Sequence, residues 1–109
     1  MDDKRKVRSL TTEALIQEAL SKAPKPMPPD TWACEVFHRW PLDQSFFRNA
    51  ASVAERYGGW LDSVDEPSPD NAVRCCLTFE FRDEQAACKG TAALNSNTDG
   101  HVEGPYSYG

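Results

Sequence analysis

Apolar and polar positions along this chain switch between two periods, and the switches divide it into elements. In "TTEALIQEALSKA", Thr11 to Ala23, the residues Leu15, Ile16, Ala19, Leu20 and Ala23 form one helical stripe. Thr11 or Thr12 can cap the first free amides of that helix. The stretch "PKPMPP" ends it, because proline lacks an amide donor and disfavours helix in the preceding residue. Four prolines in six residues make a stiff, extended spacer. Residues 1–30 are thus expected to be a helical arm with a Pro-rich linker, and residues 31–109 the core domain.

"TWACEVFHRW", Thr31 to Trp40, alternates with period two and is rich in aromatic and branched residues, which predicts a strand. Its more apolar face carries Trp32, Cys34, Val36, His38 and Trp40, and the other carries Ala33, Glu35, Phe37 and Arg39. Pro41 ends the strand, and Asp43 is placed to cap a helix along "DQSFFRNAASVAERYGG". Phe46, Ala50, Val53, Ala54 and Tyr57 line one side of it, and Gly58 or Gly59 supplies the left-handed stop.

"WLDSVDE" from Trp60 predicts a shorter strand, closed by the turn-forming "PSPDN". "AVRCCLTFEF" then alternates, with Val73, Cys75, Leu77, Phe79 and Phe81 expected inward and Arg74, Cys76, Thr78 and Glu80 outward. That pattern predicts a sheet covered on one side only. Asp83 caps a last helix, "DEQAACKGTAALNSN", which Gly90 weakens by roughly 1 kcal/mol relative to alanine. One more strand is needed, and "HVEGPYSYG" is the segment left to supply it. Pro105 places that strand at an edge or a bulge. The expected fold is a ferredoxin-like βαββαβ α+β sandwich. Two helices lie on one face of a four-stranded antiparallel sheet, with the N-terminal helix added to it.

Composition narrows the functional classes. At 109 residues the chain is one domain with one modest core. Seventeen acidic residues against twelve basic ones give a net charge of −5, which argues against a phosphate-tracking surface. The one basic cluster, "DKRKVR" with Lys4, Arg5, Lys6 and Arg8, is expected to be a solvated end. No apolar run approaches the roughly 20 residues that span a bilayer, and no signal-peptide pattern is present. A cytoplasmic protein is expected, with its four cysteines as free thiols. Those cysteines have no C-x-x-C spacing and only two histidines to join them, so neither a metal nor a cofactor is expected.

Candidate catalytic groups each have a structural explanation. His38 shares a face with Cys34 but lies roughly 13 Å along the strand from it, and a Cys–His couple would need Cys75 from a neighbouring strand. His38 is expected at the edge of the core or against a partner. Asp62, Asp65 and Glu66 sit at a strand end and turn, and Asp83 and Glu84 at a helix N-terminus, where carboxylates meet the helix dipole favourably. RNA-recognition domains stack bases on sheet aromatics, and the outward positions Arg74, Cys76, Thr78 and Glu80 offer no such platform. What remains is a sheet face of mixed charge, with Phe37 as an aromatic anchor at its centre.

In order, "EVFHRWPLD" with His38 and Asp43, the Gly59–Trp60 pair, "AVRCCLTF", and Glu103, Gly104 and Tyr106 form a further pattern. This pattern resembles the regulator of ribonuclease activity B family, small acidic bacterial proteins, over most of residues 11–109. Pro105 stands where that family has an aromatic residue after the glycine. The resemblance implies a ferredoxin-like fold and a non-catalytic regulator that binds ribonuclease E and restrains RNA cleavage. Glu35, Arg39, Glu80, Glu103 and Tyr106 are the expected contact residues, on the open sheet face and the closing strand. Two other readings stand beside it. One is a self-associating α+β module, working as a homodimer. The other is a small ligand-binding or enzymatic domain of the dimeric ferredoxin-like type, with His38 and Tyr57 as contributors to a pocket.

Overall fold

The computed structural model describes residues 10–39, 42–65 and 74–107. Expectations for the basic cluster, Trp40, Pro41, Glu66, "PSPDN", Val73 and Tyr108 fall outside the described residues. The elements follow in the order α1 (Leu10–Leu20), β1 (Trp32–Arg39), α2 (Gln44–Arg56), β2 (Trp60–Asp65), β3 (Arg74–Phe81), α3 (Glu84–Asn97) and β4 (His101–Ser107). The protein is α+β. Its four strands make one antiparallel sheet in the order β2-β3-β1-β4.

Local chemistry accounts for where the elements begin and stop. The Asp43 carboxylate accepts the Phe46 amide at 2.8 Å, and Asp83 does the same for Ala86 at 2.9 Å, so each helix after a strand starts on a capped turn. At the end of α2 the Gly59 amide reaches back to the Ala54 carbonyl and the Gly58 amide to Glu55, with Gly58 at φ 79°. This is a Schellman stop, and the left-handed residue is Gly58.

The core lies between the sheet and its helices. Cys34 and Val36 of β1, Cys75, Leu77, Phe79 and Phe81 of β3, and Leu61 of β2 point into it. Phe47, Ala50, Val53 and Ala54 from α2 and Ala87 and Leu94 from α3 meet them. Tyr57, expected on the inward stripe, is 38% exposed instead, because it is the C-cap where α2 unwinds toward the glycines. The arm is not detached: α1 lies against α2 and β2, and Ile16 and Ala19 join the core. The Lys22–Glu55 bridge at 3.0 Å adds little there, since both side chains are largely in water.

β4 lies at the sheet's edge, paired only with β1, and its register shifts opposite Ala33 to Glu35. The extra residue falls at Gly104–Pro105, as expected for a proline in a bulge. Gly104 takes φ 121°, and a Cβ there would lie 3.0 Å from Cys34 Cα.

The outward positions of β3 are more deeply buried than alternation alone implied. Every residue of β3 from Cys75 to Phe81 is buried, including the outward Cys76, Thr78 and Glu80. A large aromatic side chain stands beside two of these positions in the cross-strand rows, Glu80 and Cys76. Trp60 and Ala33 stand opposite Glu80, and Phe37 stands opposite Cys76.

The weakness expected of Gly90 also has a reason. Gly59 and Gly90 hold the Phe81 ring between them: a Cβ on Gly59 would come 2.5 Å from Phe81 Cε2, and one on Gly90 2.5 Å from Cζ. Gly90→Ala gains about 1 kcal/mol of helix propensity. It then forces an overpacked contact costing about 1–3 kcal/mol. A lower thermal midpoint is expected, with partial recovery in Gly90→Ala/Phe81→Leu. A midpoint raised by Gly90→Ala in calorimetry would show that α3 does not press on this ring.

Candidate functional site

On the face away from α2 and α3, cross-strand pairing sorts the side chains into rows. Trp60, Glu80, Ala33 and Tyr106 form the first row. Ser63, Thr78, Glu35 and Glu103 form the second, and Asp65, Cys76, Phe37 and His101 the third. Arg74 and Arg39 stand directly opposite one another in the fourth. Each row follows from period-two alternation once the register is set.

Four of the five expected contact residues are brought together here. Glu35 is half-buried, while Arg39, Glu103 and Tyr106 are exposed. Glu80 is not part of the accessible surface. It is 4% exposed, and the Trp60 indole donates to its carboxylate at 3.1 Å. Alternation placed Glu80 on the correct face, but burial also depends on the size of its row neighbours. Phe37 is half-buried at the centre, with the Arg74 guanidinium 4.7 Å above its ring and His101 tilted against it at 6.0 Å. His101 was not named as a contact and Asp65 was read only as a strand-end carboxylate, although the alternation of His101 with Glu103 in "HVE" was a usable signal.

At the edge, His101 Nε2 and a Glu103 carboxylate oxygen lie 2.8 Å apart, and the Tyr106 hydroxyl donates weakly to Glu103 at 3.4 Å. The His101 contact holds the Glu103 carboxyl below its ordinary 4.5. The Tyr106 phenol is pushed above 10 by partial desolvation, and the Glu103 and Glu35 carboxylates add to the shift.

His38 and Tyr57, considered as pocket contributors, are elsewhere and apart. His38 stacks on Phe46 at 3.7 Å on the core side, and its buried Nδ1 has no hydrogen-bond partner among the described residues. Cys75 stands opposite His38 in register and donates its thiol to the Arg39 carbonyl at 3.8 Å. Tyr57 lies at the other end of α2 from Phe46, about 16 Å away at the helical rise of 1.5 Å per residue. His38 and Tyr57 therefore do not share a pocket. A cleft of about 350 Å³ does open between α3 and β4, lined by Cys88, Thr91, Asn95, Val102 and Pro105 among others, but neither His38 nor Tyr57 lines it. Among the described residues no three His, Cys, Asp or Glu side chains cluster as metal ligands. No described helix is long and apolar enough to cross a membrane.

All four cysteines are free, and three of them are buried. Burial pushes the Cys34 and Cys76 thiols up to about 11, against the smaller opposing effect of the Thr91 and Thr78 hydroxyls. These are inert packing groups at neutral pH. Cys88 is exposed on α3.

No protein-family model, no curated protein and no solved structure matches this chain.

Two measurements check this description. Thiol titration of native protein should find Cys88 reacting fast and Cys34, Cys75 and Cys76 reacting only on unfolding, with all four recovered in denaturant without reductant. Two or more fast thiols in the native state would contradict the burial. Side-chain NMR should place the Glu103 midpoint below 4.5, moving upward in His101→Ala. Glu103 is depressed in the folded state, so its stabilising contact is present above pH 4.5 and lost as pH falls through the folded midpoint. An unmoved midpoint in His101→Ala would remove His101 as the cause.

Proposed function

We propose that this protein is a non-catalytic, protein-binding regulator that acts through the outer sheet face and the edge strand β4. One observation carries the reading. A half-buried Phe37 at the centre of an accessible face is bordered by exposed and half-buried charges, Glu35 and Glu103 on one side and Arg39 and Arg74 on the other. An aromatic anchor ringed by charge is the layout of a protein interface, in which the anchor supplies affinity and the charges set orientation and encounter rate.

The α+β topology supports the finer fold assignment. Taking β1-α2-β2-β3-α3-β4 with the order β2-β3-β1-β4, we assign the core to the ferredoxin-like class, with α1 appended. The resemblance to the regulator of ribonuclease activity B family then points to ribonuclease E as the partner. The net charge of −5 suits contact with a basic RNA-handling region. The separation of His38 from Tyr57, and the burial of Cys34, Cys75 and Cys76, favour binding over catalysis. The free thiols suit a reducing cytoplasm.

Purified ribonuclease E is the direct test. It should be captured by the wild-type protein, and its cleavage of a test RNA should slow as the protein is added. Glu35→Lys/Glu103→Lys should lose both effects and leave the thermal midpoint nearly unchanged, because both carboxylates are accessible. Glu80 is left intact in this variant, since a lysine there would bury a charge against Trp60. Unaltered cleavage at saturating protein, with no capture, would exclude ribonuclease E. Equal capture by wild type and variant would exclude this face.

A further inference from the structure

The charges on the outer face are not scattered. Arg39 stands directly opposite Arg74, and Glu35 directly opposite Glu103, so two adjacent-strand pairs each bring like charges together. Such pairs are unfavourable in the isolated sheet. Neither the Arg39 guanidinium nor the Glu35 carboxylate has a hydrogen bond or ion pair among the described residues. Glu35 and Arg39 themselves lie at equal distances, two residues along β1, on either side of Phe37, while Glu103 contacts His101 and the Arg74 guanidinium reaches over the Phe37 ring.

From this symmetry we infer that the occupant of the face is a second copy of this chain. The inference rests on the protein-binding reading above and names a partner for the same surface. A two-fold axis lying between two such faces, along the Phe37 row, turns one face toward the other and reverses its strand direction. Phe37 then meets Phe37, Glu35 meets Arg39 of the second copy, and Arg39 meets Glu35. The arrangement is isologous and closed, so it makes a dimer and not a filament. A different protein would have to carry the mirrored order of acid, aromatic and base. A second copy carries it by construction.

Size decides the strength of the dimer. Strands about 4.8 Å apart and rows about 6.7 Å apart give a face on the order of several hundred Å². That is below the roughly 800 Å² per partner of a standard complex. The dimer is therefore dissociable. Self-association and capture of another protein compete for one surface, so the free concentration of this chain sets how much of it is available to a partner.

Sedimentation equilibrium over a concentration series into the millimolar range tests this. Wild type should pass from monomer to dimer, with the midpoint moving to higher concentration as salt rises. Glu35→Arg and Arg39→Glu should each remain monomeric, yet an equimolar mixture of the two should form a heterodimer. Glu35→Arg/Arg39→Glu in one chain should dimerise again, which also shows that the substitutions leave the fold intact. A wild type that stays monomeric throughout overturns the inference. So does a dimer that both single variants retain. Capture of ribonuclease E is read separately, so either partner can fail without the other.

Discussion

The Phe81 ring ties the sheet to its last helix. It is fully buried at the C-terminal end of β3, with Gly59 on one side at the approach to β2 and Gly90 on the other in the middle of α3. Both positions must lack a side chain for the backbones to come this close. The contact fixes where α3 lies on the sheet, and α3 in turn delivers the chain to β4. Thr98, whose hydroxyl donates to the Leu94 carbonyl at 2.7 Å, ends that helix just before His101 begins the edge strand. The register of β4 on β1, and with it the Glu35–Glu103 pair, therefore depends on an aromatic ring on the opposite side of the sheet.

The two faces of the sheet are buried by different means. The inner face is covered by helices and filled with Phe, Leu, Val and Cys. On the outer face, small or polar residues of the central strands, Ala33, Cys76 and Glu80, lie among the larger Trp60, Phe37 and Tyr106 of the same rows. Burial of that kind leaves charged tips accessible at one end while the row centres are dry. A carboxylate in a dry row needs a donor, and Glu80 has the Trp60 indole. Its role is to hold β2 against β3. Glu35, one row along, is only half-buried and carries no such constraint.

This contrast marks what could be read from the residues and what could not. Helix starts at Asp43 and Asp83, the stop at Gly58 and the placement of Pro105 in an edge bulge were legible, because each is decided within a few residues. The faces of β1 and β3 were legible from alternation. The burial of Glu80 was not, because it depends on Trp60, which is 20 positions away in sequence and opposite only after pairing. Gly90 was legible as a weak point of its helix, but not as the seat of Phe81, for the same reason. Cross-strand like-charge pairing was likewise invisible until the register put Arg39 against Arg74 and Glu35 against Glu103.

That last arrangement bears on why the surface looks as it does. A solvated face under no other demand would gain by exchanging one member of each like-charged pair, since opposite charges at those positions contribute roughly 0.2–1 kcal/mol and like charges cost stability. Glu35 and Arg39 do not neutralise one another within the monomer, because the Phe37 row lies between them and their separation along β1 is about 13 Å. That distance exceeds the Debye length of about 8 Å at physiological ionic strength. Glu35 and Arg39 are thus screened from one another, whereas Glu103 already has His101 beside it and feels the Arg74 charge. In the proposed dimer, Glu35 and Arg39 each find a complement when a second face with the reverse order is laid across Phe37. In that dimer the order of charges also selects the orientation in which contact is made.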